Sequence, residues 1–301
     1  MASAMIDIDN DGVDELFMGG GVTQQDALYK YTETGFVDIS QQVNLPEKER
    51  GSTTLGAVSF DMDNNGFSDL ILTGDAGVFW YKNDNGQFTK EKIDIQVNEK
   101  STPATLTIAD YNKDGHADLF LANYIRLDKM EGQTIFKDPN YGASSLLLKN
   151  KGDNTFSDVT TAAGLAYIHN TFQGVFVDID NDSWMDLVVA YDTGEARTYK
   201  NKGDGTYQLM PNPLTGKFAY PMGIALGDYN NDGLLDIMVV DMLPEDNYRR
   251  KMIIPRSSYD RFQLTLDMGY EPQYTRNTLQ INNGDGTFSE VGQMAGIDQT
   301  D

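Results

Sequence analysis

The sequence predicts an all-β fold, a β-propeller of four-stranded antiparallel blades. Three observations point to it. One acidic decapeptide recurs five times, an aromatic turn phrase follows every copy, and all large length variation falls in one segment of the repeating unit. Self-similarity at a period near 50 residues marks an array of like units, and four short strands per unit is the size of a propeller blade. A stacked solenoid is the alternative, but its repeats usually run shorter.

The decapeptides are Asp7–Leu16, Asp61–Leu70, Asp110–Leu119, Asp178–Leu187 and Asp228–Ile237. Each places oxygen side chains at positions 1, 3, 5 and 9 and an aliphatic residue at position 10. Position 6 is Gly in four copies and Ser183 in one. The turn phrases end in Phe36, Phe88, Phe156, Tyr207 and Phe288. From these aromatics to the next copy's first Asp the gaps are 25, 22, 22 and 21 residues, whereas from first Asp to aromatic they are 29, 27, 46, 29 and 60. Two insertions, near 125–143 and near 243–275, account for the long gaps.

Strand assignments follow from pattern. Thr54–Phe60, Phe172–Val177 and Met222–Leu226 precede a decapeptide; Leu70–Leu72, Leu119–Leu121, Leu187–Val189 and Ile237–Val240 follow one. The second set is continuously apolar, so those strands are expected to be covered on both faces. Leu146–Leu148 and Thr278–Ile281 pair as hairpins with the segments after their Gly-Asp turns. The approximate blades are 1–45, 46–98, 99–166, 167–214 and 215–301, in a single propeller domain.

Composition narrows the function. The 301 residues carry 46 Asp plus Glu against 23 Lys plus Arg, for a net charge of −23, with two His and no Cys. Nucleic acid and anionic membranes need clustered cations, which argues against either as partner. Without cysteine there is neither thiolate catalysis nor Cys-ligated zinc. No apolar run approaches the roughly 20 residues of a membrane helix, so no membrane insertion is expected.

Carboxylates crowded into nine residues repel one another; at 4 Å and an effective dielectric near 20, each like pair costs roughly 4 kcal/mol. Five such loops point to a cation in each, up to five Ca2+. Calcium takes six to eight oxygen ligands from loops of this kind, with a backbone carbonyl at position 7 and Gly at 6 for the bend. The expected ligands are Asp7, Asp61, Asp110, Asp178 and Asp228 at position 1, then Asp9, Asp63, Asn112, Asp180 and Asn230 at position 3. Position 5 supplies Asp11, Asn65, Asp114, Asp182 and Asp232; position 7 supplies the carbonyls of Val13, Phe67, His116, Trp184 and Leu234. Position 9, with Glu15, Asp69, Asp118, Asp186 and Asp236, closes the cage. An EF-hand is excluded: its twelfth position needs a bidentate Glu, and these loops have Met18, Leu72, Leu121, Val189 and Val239. Loop two, with Asn65 for Asp, has one charge fewer.

These decapeptides resemble the cation loops of FG-GAP (VCBS) repeats, the units of the integrin α-subunit propeller and of many bacterial secreted proteins. The phrases Phe156–Leu165 and Phe288–Ile297 are similar to the cartilage-acidic-protein type of these repeats, and 220–297 looks like FG-GAP-like proteins of Bacteroidetes. The resemblance spans essentially the whole chain. It implies a calcium-binding module outside the cytoplasm, secreted or at the cell surface, acting in adhesion, as a scaffold or on carbohydrate. Ser183 departs from the Gly pattern. Five repeats, where relatives commonly have seven or eight blades, fit either a closed five-bladed ring or part of a larger one.

In an antiparallel blade the acidic loops and the third-to-fourth turns share one rim, and both insertions stand on the other. Loops on a rigid scaffold are where binding residues concentrate. The larger insertion gathers Tyr248, Arg249, Arg250, Arg256, Tyr259, Arg261, Tyr270 and Arg276, and the smaller adds Tyr124 and Arg126; Arg and Tyr are enriched at binding hot spots. These are the candidate partner-binding residues, for a protein or a carbohydrate. Against that stands plain packing and ion pairing within the insertion. Ser257 or Ser258 is positioned to cap a short helix ending before Gly269. No acid/base pair, phosphate loop or nucleophile motif is left for catalysis. His116, with its ring turned outward, and His169 read as surface or packing residues, and Trp80 and Trp184 as filler. The expectation is a non-enzymatic binding module; the alternatives are a lyase-like polysaccharide-active enzyme and a purely structural module.

Overall fold

Every acidic decapeptide joins two antiparallel strands, and each pair grows into a four-stranded sheet in the computed structural model. It describes residues 2–126, 128, 142–192, 196–211, 214, 221–253, 259–269, 272, 274–276 and 277–300. Sheet one is β1 (Ser3–Ile6), β2 (Glu15–Met18), β3 (Ala27–Thr32) and β4 (Gly35–Asp38); sheet two is β5 (Thr54–Phe60), β6 (Asp69–Gly74), β7 (Gly77–Asn83) and β8 (Phe88–Ile93). Sheet three joins β9 (Ser101–Ala109) and β10 (Asp118–Ile125) to β12 (Leu146–Asn150) and β13 (Phe156–Asp158), while β11 (Ala143–Ser144) pairs with β14 (Ile168–His169). Sheet four is β15 (Thr171–Val177), β16 (Asp186–Tyr191), β17 (Arg197–Asn201) and β18 (Tyr207–Leu209). Sheet five is β19 (Gly223–Gly227), β20 (Asp236–Val240), β21 (Thr278–Asn282) and β22 (Phe288–Glu290). Within each sheet, sequence order is spatial order. The first strands β1, β5, β9, β15 and β19 lie against one another in turn. Five blades of a β-propeller result, as the repeat predicts.

The core is layered between blades. Four hydrophobic clusters among the described residues fill the gaps from blade one to blade five. The second strand of each inner blade feeds two of them at once. Leu70 and Leu72 face blade one while Ile71 faces blade three; Leu187 and Val189 face blade three while Val188 and Ala190 face blade five. Alternation across a strand therefore serves two cores, and the sequence reads as an unbroken apolar run. Burying each such side chain contributes roughly 1.5–3 kcal/mol.

For β20 the expectation of full cover needs correcting. Ile237 and Val239 are buried on the blade-four side, but Met238 is only half-buried and Val240 is exposed. Their face meets no second cluster among the described residues, so only alternate positions are enclosed.

The turn aromatics pack towards the preceding blade. Phe88 joins the layer between blades one and two, Tyr207 that between three and four, and Phe288 that between four and five. Phe36 of blade one is instead exposed and meets Tyr31 edge-on, with ring centroids 5.2 Å apart. Backbone bonds add to two of the seams: Phe88 N donates to Val43 O and Tyr207 N to Ala163 O, stitching the links from blade one to two and from blade three to four onto the next blade. Gly174 allows a close approach between blades three and four; a Cβ there would lie 2.4 Å from the Phe120 ring. On the link between blades one and two, the buried Lys48 ammonium donates to the carbonyls of Gly20, Gly21 and Ser52.

The larger insertion carries two helices, α1 (Asn247–Ile253) and α2 (Tyr259–Asp267), where one was expected; a third, α3 (Gly292–Ala295), follows β22. α2 stops before Gly269, whose φ of +82° is the left-handed turn that ends helices. Asp246 caps α1 by accepting the Arg249 N–H at 2.8 Å. Ser257 and Ser258 lie outside the described residues.

Candidate metal centres

Each acidic loop is folded by its own side chains. The position-1 Asp spreads its two oxygens to accept the N–H groups of positions 5 and 6, at 2.8–3.2 Å in all five copies. The position-5 Oδ1 accepts the N–H of position 7 at 2.8–3.1 Å. Two residues per loop are left-handed. Position 6 has φ between +82° and +91° in the four glycines and +68° in Ser183. Position 4 has φ between +56° and +59° in Asn10, Asn64, Lys113, Asn181 and Asn231. Asn tolerates this region better than most L-residues. Asn at position 4 in four of the five copies was the signal in the sequence for that second bend.

Position 9 opens the second strand and is buried in every copy. One oxygen accepts the N–H of an Asn that ends the third strand: Asp69 from Asn83, Asp118 from Asn150, Asp186 from Asn201 and Asp236 from Asn282, all at 2.7–2.8 Å. The other oxygen of Asp69, Asp186 and Asp236, and of Glu15 in blade one, accepts the N–H of position 2. Position 9 therefore clasps the loop to its blade as well as facing the acidic cluster.

The asparagines do more. Asn83 donates its amide to Ile8 O, Asn201 to Tyr111 O and Asn282 to Ile179 O, each carbonyl being position 2 of the preceding blade's acidic loop. Neighbouring loops also touch directly: Asn10 donates to Gly66 O, and the Lys113 ammonium lies 4.0 Å from the Trp184 ring centre.

Three carboxylates offer oxygens within 4.8 Å of one another in four loops: Asp7, Asp9 and Asp11; Asp61, Asp63 and Asp69; Asp110, Asp114 and Asp118; Asp178, Asp180 and Asp182. These clusters could hold a metal ion. The donor set is all oxygen, the chemistry of a hard cation such as calcium, so the residues present fit that ion. A lysine of the third strand reaches each of the four. Lys30 lies 2.9 Å from Asp11, 3.0 Å from Glu15 and 3.8 Å from Asp9; Lys200 lies 2.5 Å from Asp180, 2.7 Å from Asp182 and 3.6 Å from Asp186. Lys149 pairs with Asp114 at 3.1 Å and Lys82 with Asp63. In the fifth loop the carboxylates do not converge in this way. Asp232 there takes the Asn230 amide at 2.8 Å.

Electrostatics follows burial. Desolvation pushes the Asp118 carboxyl up to about 7, against the N–H of Asn150 and with help from the charges of Asp114 and Asp110. Desolvation likewise raises Asp186 to about 6 and lifts Asp69. The outer carboxyl of Asp11 is held below its usual range by the Lys30 hydrogen bond and the Val13 N–H.

Position-7 side chains pack on the next turn. The His116 ring sits against Gly152, the Trp184 ring against Gly203 and Leu234 against Gly284. The His116 ring thus does not simply point outward: it lies on Gly152 in its own blade's turn. His169 is buried rather than on the surface, 5.7 Å from the Tyr167 ring and 5.5 Å from Tyr191. Trp80 is buried in the layer between blades two and three.

The insertions leave from strand ends opposite the acidic loops. Tyr248 on α1 and Tyr259 on α2 are 72% and 75% exposed, and Tyr274 is exposed beside them in sequence. Arg250 Nε donates to Pro244 O at 2.5 Å, and Arg276 pairs with Glu290 at 2.8 Å. Tyr124 donates to Asp192 at 2.5 Å and stacks on Phe172, and Arg126 pairs with Asp128. Arg256 and Tyr270 lie outside the described residues, as does the side chain of Arg261. Between the β2–β3 loop and the link to blade two, a cleft of about 550 Å³ is lined by Gln24, Gln25, Lys48 and Arg50, which pattern had not suggested.

Comparison with known proteins agrees with this geometry. The sequence model described as FG-GAP-like repeat matches residues 7–72, 61–121 and 178–239. Cartilage acidic protein 1 of Xenopus tropicalis is 24% identical over 258 residues, covering 78% of this chain and 39% of that protein. The chain thus spans about two fifths of that relative's length. Among solved structures, a lectin from Agrocybe aegerita, described by its specific recognition of non-reducing terminal N-acetylglucosamine, aligns with a TM-score of 0.50 at 16% identity. That alignment covers 95% of this chain and 64% of the lectin. The exotype rhamnogalacturonan lyase YesX aligns at a TM-score of 0.46 and 13% identity, covering 95% of this chain and 48% of the lyase.

Proposed function

The chain belongs to the family of FG-GAP-like repeats, and from that premise we propose that it is a calcium-binding propeller, secreted or at the cell surface, that binds a protein or glycan through the rim opposite its acidic loops. The observation that carries the metal reading is the repeated convergence of carboxylate oxygens within 4.8 Å in an all-oxygen loop. Positions 1, 3 and 5, the carbonyl of position 7 and the inward oxygen of position 9 would hold the ion. A bound calcium supplies the positive charge that these loops need and ties strands one and two of a blade together. Isothermal titration of the chelator-treated protein tests this: calcium uptake is expected, and none at millimolar calcium would remove it.

The partner reading rests on Tyr248 and Tyr259, large and exposed on helices of an insertion. Exposed aromatics on a rigid scaffold supply contact area at low entropic cost. A like fold in a lectin makes glycans the first probes. A glycan array and a pull-down comparing wild type with the Tyr248→Ala/Tyr259→Ala double variant decide it; equal binding by both would count against this rim. The net charge of −23 disfavours a nucleic-acid partner. A binding role is favoured over catalysis because the buried position-9 carboxylates are engaged with backbone N–H groups of the third strand and of the loop.

A further inference from the structure

The third strand carries a cation into four of the five loops, at one position. Lys82, Lys149 and Lys200 each directly precede the Asn that clasps position 9, and Lys30 holds the same place in blade one. The equivalent residue of blade five is Ile281, which directly precedes Asn282. Loops with the lysine have three converging carboxylates; the loop with Ile281 does not. In loop four the ammonium touches carboxylates of positions 3, 5 and 9 at once.

We propose that these lysines are tethered cations that compete with the metal: each ammonium pairs with one to three of its loop's carboxylates without an ion and must leave when a divalent cation binds. The inference rests on the calcium reading and goes beyond it by naming residues that set the affinity of each loop. The physics is direct. An ammonium and a divalent ion seek the same oxygens, and both cannot sit among three carboxylates without strong repulsion. The lysine is covalently attached, so it is present at any salt or metal concentration. Four loops therefore keep their charges partly neutralised at low calcium, at a cost in affinity. The fifth relies on the Asn230 amide and on an ion from solution.

Loop four offers its own reporter, because Trp184 is its seventh residue. The test uses terbium, with tryptophan-selective excitation, in a Trp80→Phe background that leaves Trp184 as the only tryptophan, and calcium as displacing ion. Lys200→Met should move the terbium midpoint to about tenfold lower concentration, the loss of up to three partly exposed ion pairs near 0.5 kcal/mol each. The same variant should melt lower than its parent in chelator. Ile281→Lys should do the reverse in blade five: a higher melting temperature in chelator and one weaker site by isothermal titration. A packing role alone would lower the melting temperature of Lys200→Met but would not tighten terbium binding. Equal or weaker binding by Lys200→Met overturns the competition and leaves the calcium reading standing. No terbium signal and no calcium uptake in the parent overturn both.

Discussion

Asn282 donates its side-chain amide to the backbone carbonyl of Ile179 at 2.8 Å, across 103 residues of sequence. Asn201 does the same to Tyr111, and Asn83 to Ile8. In each case the last residue of a third strand holds the second residue of the preceding blade's acidic loop. The same Asn gives its backbone N–H to position 9 of its own loop. Acidic loops and blade seams thus share hydrogen bonds at three places along the rim, while Asn150 of blade three turns its amide to Ala117 O of its own blade.

Removing one of those shared bonds should be felt as lost stability. Asn282→Ala leaves the Ile179 carbonyl without this donor in a buried place, which costs about 1–3 kcal/mol. Equilibrium unfolding in denaturant, with calcium present in excess, is the measurement. A loss below about 0.5 kcal/mol would mean that water replaces the amide without penalty.

Position 9 should behave as a structural residue first. Asp186 is fully buried and accepts the N–H groups of Asn201 and Ile179. Asp186→Ala is expected to lower stability by about 2 kcal/mol or more even in chelator, because two buried donors lose their acceptor. Asp180→Asn, in the outer part of the same loop, should cost less than about 1 kcal/mol there, since exposed ion pairs contribute little. Similar losses for the two variants in chelator would contradict the clasp.

That distinction was only half legible in the sequence. Oxygen residues at fixed spacing revealed the five loops, their left-handed position 6 and the blade period, because local backbone demands recur wherever the loop recurs. Counting carboxylates overstated their mutual repulsion. The count omitted the N–H groups the loop aims at Asp7 or Asp178, and it omitted Lys30 and Lys200, which lie some 20 residues away. The Lys-Asn pair ending a third strand could have been read as a partner of the acidic loop, since it recurs two or three residues before the turn glycine in blades two, three and four. The cover on β20 was misread because an apolar run records a strand's capacity for two cores, while only packing decides whether both exist. The insertion was legible as an insertion and not as two helices, since seven residues of α1 give too short a period to recognise.

Ser183 is the one position-6 residue that is not glycine, and its φ is +68°. An L-residue in this region costs roughly 1–2 kcal/mol, against roughly 0.5–1 kcal/mol of extra chain entropy that a glycine loses on folding. Ser183→Gly should therefore stabilise by about 0.5 kcal/mol, with the Asp178 hydrogen bond kept, because that bond uses the backbone N–H. Thermal unfolding in chelator reads it; a destabilised variant would show that the hydroxyl has a partner role.

Calcium should raise the melting temperature by mass action. A ligand at about 100 times its Kd stabilises by about 2.7 kcal/mol per site. For a chain of this size that corresponds to several degrees. Scanning calorimetry across a calcium series should show a midpoint that climbs with the logarithm of free calcium. A flat midpoint from chelator to millimolar calcium would remove the metal reading.

Without metal, stability should fall as pH rises through the neutral side of the carboxylate range. Asp118 titrates near 7 in the folded protein against a usual 3.8, and Asp186 near 6. The folded state therefore holds these protons more tightly than the unfolded chain. Their contribution is fully present below about pH 4 and is lost as pH climbs through 6 to 7. Asp110 and Asp114 face Asp118 and sharpen the trend, while Lys149, paired with Asp114, softens it. General repulsion in a chain of net charge −23 adds a slope of the same sign, so the variant comparison carries the test. In chelator, the melting temperature of the wild type should drop between pH 5 and pH 8, and that of Asp118→Asn should drop less, even if the variant starts lower. With calcium in excess the difference in slope should disappear, because the ion favours the charged carboxylate. Equal slopes in chelator would mean that Asp118 is already ionised at pH 5 in the folded protein.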